Sequence, residues 1–176
     1  MVNTSNSDRP TIGFWISAVA AIISAIAATP SVKLPSKVSR VDVLLVASAI
    51  QILGSTIIIE SVEPWNIRTG RIVRIIGNGI GIRGLLETDQ VTAIGYSTEA
   101  NLFQTLAGTI SFDYEGNLDN AYLYNVGVLM LIIGNAFQAI FTKVKLIDLE
   151  KGTELVSIAA WIKAVGAVIV ALSFSI

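Results

Sequence analysis

The chain has neither cysteine nor histidine. Without thiols there is no disulfide framework and no thiolate chemistry, and without imidazole the usual zinc sites and every scheme that uses histidine as base are excluded. Charge is also scarce: 14% of the 176 residues are Asp, Glu, Lys or Arg, against about a quarter in a soluble globular domain. The net charge of −1 gives no electrostatic footprint for a polyanion, so no nucleic-acid partner is expected. A P-loop is missing. Gly77-Asn78-Gly79-Ile80-Gly81 lacks the third glycine of the dinucleotide fingerprint and its preceding strand, and reads as helix packing. Carboxylates fall outside the apolar runs, mostly in connections, so paired acid–base work in a dry cleft is poorly supported. The expectation is a non-enzymatic protein with no cofactor and no bound metal.

What the chain does have is apolar sequence, 53% by count. A domain of this size exposes much of its surface and needs polar residues to cover it, unless a bilayer or a partner does so. Residues 1–10 are polar and read as a tail, leaving 11–176 as a single helical domain. Thr11 to Val32 carries no charge, long enough to span a bilayer core as a helix. Val43 to Ile59, Asn120 to Thr142 and Leu155 to Ile176 are further spanning candidates. Ile75 to Ile82 and Ala100 to Phe112 are too short to qualify and are expected at an interface or inside a bundle. Breakers stand between segments at Thr29-Pro30-Ser31, Leu34-Pro35-Ser36, Glu63-Pro64-Trp65, Tyr114-Glu115-Gly116-Asn117 and Lys151-Gly152-Thr153.

The segments are alike. Phe14-Trp15-Ile16-Ser17-Ala18-Val19-Ala20-Ala21 lines up with Ala160-Trp161-Ile162-Lys163-Ala164-Val165-Gly166-Ala167. Ile75-Ile76-Gly77-Asn78 recurs as Ile132-Ile133-Gly134-Asn135, and Asn101-Leu102-Phe103-Gln104 as Asn135-Ala136-Phe137-Gln138. Segment two fits more loosely through Gln51-Ile52-Leu53-Gly54. The expected fold is therefore all-α, with about six apolar helical repeat units of roughly 30 residues packed as a bundle. The pattern resembles an uncharacterised repetitive helical family of Bacillus-type bacteria, whose members repeat a Gly-Asn-x-x-Gln-Ala-x-Gly unit. The resemblance implies a stack of helices from about Thr11 onward and supplies no activity; segments one and six depart from it by lacking the Asn and Gln.

The repeated polar residues are the candidate functional set. Asn101 and Gln104, like Asn135 and Gln138, are three apart and share a helix face beside small residues. With Gln51 and Asn78 they are read first as amides that hydrogen-bond between helices, and Gly77 with Gly81 as a GxxxG pair of close approach. The alternative is a polar lining for a pore or small-molecule path. Lys163 is the one charge inside an apolar segment and so a functional suspect, although its distance from Glu154 suggests snorkelling to the interface. Trp15, Trp65 and Trp161 lie at or near segment starts, as an aromatic belt requires.

Basic residues flank segment one (Lys33, Lys37, Arg40) and segment six (Lys143, Lys145, Lys151), which puts those connections in the cytoplasm and both termini outside. Arg68, Arg71 and Arg74 run against this. Ala25-Ile26-Ala27 satisfies the signal-cleavage rule, but segment one matches segment six and is expected to be retained. Together these features predict a multi-pass bacterial cell-membrane protein, structural or permeability-related, with the lipid bilayer and copies of itself as partners. The second reading is a soluble or secreted self-assembling helical repeat protein, as in a coat, shell or filament.

Overall fold

The computed structural model describes residues 8–61, 64–116 and 118–176. The tail before Asp8, and Glu63 and Asn117 of two breakers, lie outside the described residues. Six helices account for nearly all the rest: α1 (Asp8–Ala28), α2 (Arg40–Ser61), α3 (Trp65–Leu86), α4 (Gln90–Ser111), α5 (Ala121–Val144) and α6 (Leu149–Ser173). There is no strand among the described residues.

Local signals set the boundaries. At α2, Ser39 and Asp42 bond reciprocally: the Asp42 amide donates to Ser39 Oγ at 3.0 Å while the Ser39 amide donates to Asp42 Oδ2 at 3.2 Å, the logic of a capping box. Asp89 accepts from the Thr92 amide at 2.8 Å and Asp148 from the Lys151 amide at 2.9 Å, capping α4 and α6. Pro64 precedes α3 and costs no helical bond there. The end of α1 is held by Arg40, whose guanidinium donates to the carbonyls of Ala27, Thr29, Pro30 and Val32, satisfying acceptors that a helix C-terminus leaves open.

Two segments exceed the sequence expectation. The apolar runs at 75–82 and 100–112 belong to α3 and, up to its C-cap Phe112, to α4, each helix 22 residues long and about 33 Å at helical rise. Arg71 and Arg74 interrupt the hydropathy of α3, yet both are buried: they point inward. At the start of the domain, α1 begins at Asp8, inside the stretch read as tail.

Each helix packs on its neighbours in sequence, most extensively within α1–α2, α3–α4 and α5–α6, and α1 closes onto α6. The result is a ring of three helical hairpins. Contacts between α1 and α6 show that they are antiparallel: Thr11 Oγ1 donates to the Phe174 carbonyl at 2.8 Å near one end, and Trp161 Nε1 to Thr29 Oγ1 at 3.0 Å near the other. The starts of α1, α3 and α5 and the ends of α2, α4 and α6 therefore share one end. The connections 29–39, 87–89 and 145–148 share the other.

Glycines set the hairpin spacing. A Cβ on Gly13 would lie 2.9 Å from the Gly54 carbonyl oxygen, one on Gly70 2.6 Å from that of Ala107, and one on Gly127 2.8 Å from that of Gly166. Gly13, Gly70 and Gly127 stand at equal intervals along the chain. Small residues of this kind let helix backbones touch. Every helix turns large apolar side chains outward: Val19, Leu53, Ile76, Leu102, Ile140 and Ile158 are all exposed, although Arg83 of α3 and Glu99 of α4 are exposed on the same faces.

Candidate functional site

Matching the three hairpins through their glycine contacts places Gln51, Gln104 and Lys163 at one equivalent position, three residues before Gly54, Ala107 and Gly166. All three line the space inside the ring. Ser24, Gly81 and Gln138 form a second such set, and Leu44, Ser97 and Val156 a third, both on the same cavity. An approximately threefold arrangement of hairpins thus surrounds a central vestibule.

The vestibule has a volume of about 470 Å³ and is rimmed by Pro30, Arg40, Lys145 and Thr153 at the end carrying the 29–39 and 145–148 connections. That volume lies within the usual range for small-molecule sites. Its floor is the Gln51, Gln104 and Lys163 level, beyond which a chamber of about 20 Å³ continues between Arg71, Arg74, Phe14 and Leu131. Aromatic rings close the far end: Phe14 stacks on Phe174 with centroids 4.1 Å apart, and Tyr124 meets both edge-on at 6.4 and 5.9 Å. Tyr124 is fully buried and donates to the Ser111 carbonyl at 3.0 Å.

The electrostatics of this interior are one-sided. Lys163 Nζ donates to Gln138 Oε1 at 2.7 Å and to Gln104 Oε1 at 3.3 Å, neutral acceptors both. Arg71 lies with its guanidinium carbon 4.5 Å from the centroid of the Phe14 ring, a cation–π distance. Arg74 stands one turn from Arg71 on the same face. No residue lining the vestibule or the chamber is acidic. At the rim, burial holds the Lys145 ammonium below its usual range. Outside the ring, hydrogen bonds from Thr92 hold the exposed Asp89 carboxyl below the usual carboxylate value.

Five of the six amides singled out in the sequence meet here. Gln51, Asn78, Asn101, Gln104 and Gln138 all line the vestibule. Gln104 Nε2 donates to Asn78 Oδ1 at 2.8 Å, an interhelical bond between α4 and α3; Asn101 turns back on its own helix and donates to the Ser97 carbonyl at 2.8 Å. Asn135 stands apart: it is fully buried and neither side-chain atom has a hydrogen-bond partner. Lys163 is at the middle of α6 and not near its start, so it bonds inward to amides instead of reaching an end of the bundle. The GxxxG reading holds for Gly77, where a Cβ would lie 3.1 Å from the Ala100 carbonyl oxygen, but a Cβ on Gly81 would make only ordinary contact at 3.5 Å.

Arg71 and Arg74 were not among the sequence candidates. Their signal was present: two arginines three residues apart in a helix otherwise rich in Ile, Val and Gly. A model of a known protein family matches residues 8–171, almost the whole described chain. The chain belongs to the family of unknown function DUF6944. No curated protein and no solved structure matches it. The family carries no activity across, so the function rests on the vestibule itself.

Proposed function

We propose that this DUF6944 chain is a non-enzymatic, multi-pass protein of the bacterial cell membrane, concerned with permeability rather than with structure alone. In this reading its six-helix ring holds a water-filled vestibule open to one side. The observation that carries the reading is the division of the ring into two faces. Large apolar side chains stand outward on all six helices, with Arg83 and Glu99 as charged exceptions on α3 and α4, while five amides and Lys163 converge inward on a cavity large enough for a solute. Four helices, α1, α2, α5 and α6, are long and apolar enough to cross a membrane. α3 and α4 match them in length and fall short because they carry Arg71, Arg74, Asn78, Asn101 and Gln104 inward and Arg68, Arg83 and Glu99 at exposed positions.

The inward course of Arg71 and Arg74 also supports the orientation expected from charge. With these two arginines inside the ring, Lys33, Lys37, Arg40, Lys143, Lys145 and Lys151 at the vestibule end outweigh Arg9 and Arg68 at the other, and under the positive-inside rule the mouth faces the cytoplasm. Phe14, Tyr124 and Phe174 are then the closed outer end of a conduit. Retention of α1 belongs to the same reading, because Phe14 supplies part of that plug.

Copies of the ring are expected to associate in the bilayer through the outward small residues and side chains. The second reading, a soluble or secreted self-assembly, draws on apolar exposure beyond the helical band, as at Ile147, which is 90% exposed in the α5–α6 connection. Alkaline carbonate extraction separates the two. Retention in the pellet and a need for detergent are expected; release into plain buffer as a dispersed species contradicts the membrane reading.

A further inference from the structure

The chamber beyond the vestibule floor has an environment that the permeability reading does not by itself explain. Arg71 and Arg74 are 3% and 8% exposed, and Lys163 joins them on the chamber wall from α6. Guanidinium groups stay protonated in proteins, so at least two fixed positive charges sit in a space whose lining holds no carboxylate. Burying like charges without a counter-charge is costly unless something else neutralises them. The Nε atoms of both arginines are buried without a hydrogen-bond partner, leaving donors unspent. The rest of the wall is Ser17, Gln51 and Gln104 with the apolar Phe14, Ala21, Leu131, Ala167 and Val170, neutral surroundings of low polarity in which charge–charge attraction is strong.

We infer that the chamber formed by Arg71, Arg74 and Lys163 binds a single small inorganic anion of halide size. The proposal rests on the vestibule reading for its route of access. Size narrows the class: about 20 Å³ is room for one guest little larger than water, which suits a monatomic halide, chloride first, better than a carboxylate metabolite or a sulfate. The vestibule supplies the path, since Gln51, Gln104 and Lys163 border both spaces.

Chlorine-35 NMR line broadening on the detergent-purified protein, with gluconate holding ionic strength constant, reads this site. Saturable broadening is expected for the native chain, reversed by bromide and not by sulfate. Lys163→Gln should shift saturation to at least tenfold higher chloride; glutamine already occupies the two equivalent positions, Gln51 and Gln104, so this variant is expected to fold. Arg74→Gln should remove saturation while eluting as the native protein does. Absence of saturable broadening in the native chain, equal reversal by sulfate, or native-like saturation in folded Lys163→Gln would overturn the site. Carbonate extraction of the same preparation keeps the two proposals apart: an integral protein without chloride broadening refutes the anion site alone, and a protein released by carbonate refutes the membrane setting whatever chloride does.

Discussion

Gly127 and Gly166 press together so closely that a Cβ on either would lie 2.8 Å from the carbonyl oxygen of the other. Neither helix can move aside freely, because α5 also packs on α4 and α6 also packs on α1. Overpacking such a contact costs about 1–3 kcal/mol. Gly127→Ala is expected to lower stability by that amount in thermal unfolding in detergent. Gly79→Ala is the control: Gly79 has nothing within 4 Å of its missing Cβ, and alanine there should be neutral or stabilising by up to about 1 kcal/mol. Equal effects at the two positions would show that the hairpins are not held by glycine contact.

Asn135 is a second internal test. It is wholly buried, and both ends of its amide lack a partner, a condition that costs roughly 1–3 kcal/mol. Asn135→Leu, with the same branching and number of side-chain heavy atoms though larger methyl ends, is therefore expected to raise the unfolding temperature, whereas Asn78→Leu should lower it by stranding the Gln104 Nε2 that now donates to Asn78. Reversal of that order would mean that Asn135 has a partner in solution.

The aromatic closure makes a functional prediction. Phe14 is almost fully buried against Tyr124, Phe174 and Arg71. Phe14→Ala should destabilise the ring by about 3–5 kcal/mol and, where the variant still inserts, open the far end. Chloride efflux from vesicles, followed with an ion-selective electrode, is expected to be faster than for the native chain. An unchanged efflux rate from inserted protein would show that the plug is not the barrier.

How much of this was legible beforehand can be told from α3. The all-helical, apolar class followed from composition and from the recurring Ile-Gly-Asn and Asn-x-x-Gln patterns. The length of α3 did not, because a hydropathy window counts Arg71 and Arg74 as breaks without knowing that they face inward. Pairing of six units into three hairpins was likewise hidden. The clearest likeness, between the Trp15 and Trp161 segments, joins the first and last helices, which meet where the ring closes. The equal spacing of Gly13, Gly70 and Gly127 was the better clue, since it tracks backbone contact. The amides were found but their destination was not: spacing shows that Asn101 and Gln104 share a face, and only the closed ring shows that the face looks onto a cavity.

Asp89 gives a pH dependence outside the membrane. Hydrogen bonds from Thr92 hold its carboxyl below the ordinary value in the folded state, so the bound proton count is lower folded than unfolded. Its stabilisation is complete above the unfolded-state value and is lost as pH falls through the lowered folded one. Hydrogen exchange at the first turn of α4, corrected for intrinsic rates, should show less protection as the pH falls through that window in the native chain and little change in Asp89→Asn. Identical profiles would remove Asp89 as the cause.

The central claim is that the ring is greasy outside and wet inside. Since the chain has no cysteine, a single introduced thiol can be read without background. Ser97→Cys lines the vestibule and Leu106→Cys lies exposed on the outer face of the same helix. In membrane vesicles, a water-soluble, impermeant thiol reagent is predicted to label Ser97→Cys from one side of the bilayer and to leave Leu106→Cys untouched. Labelling of Leu106→Cys with Ser97→Cys protected would contradict the account.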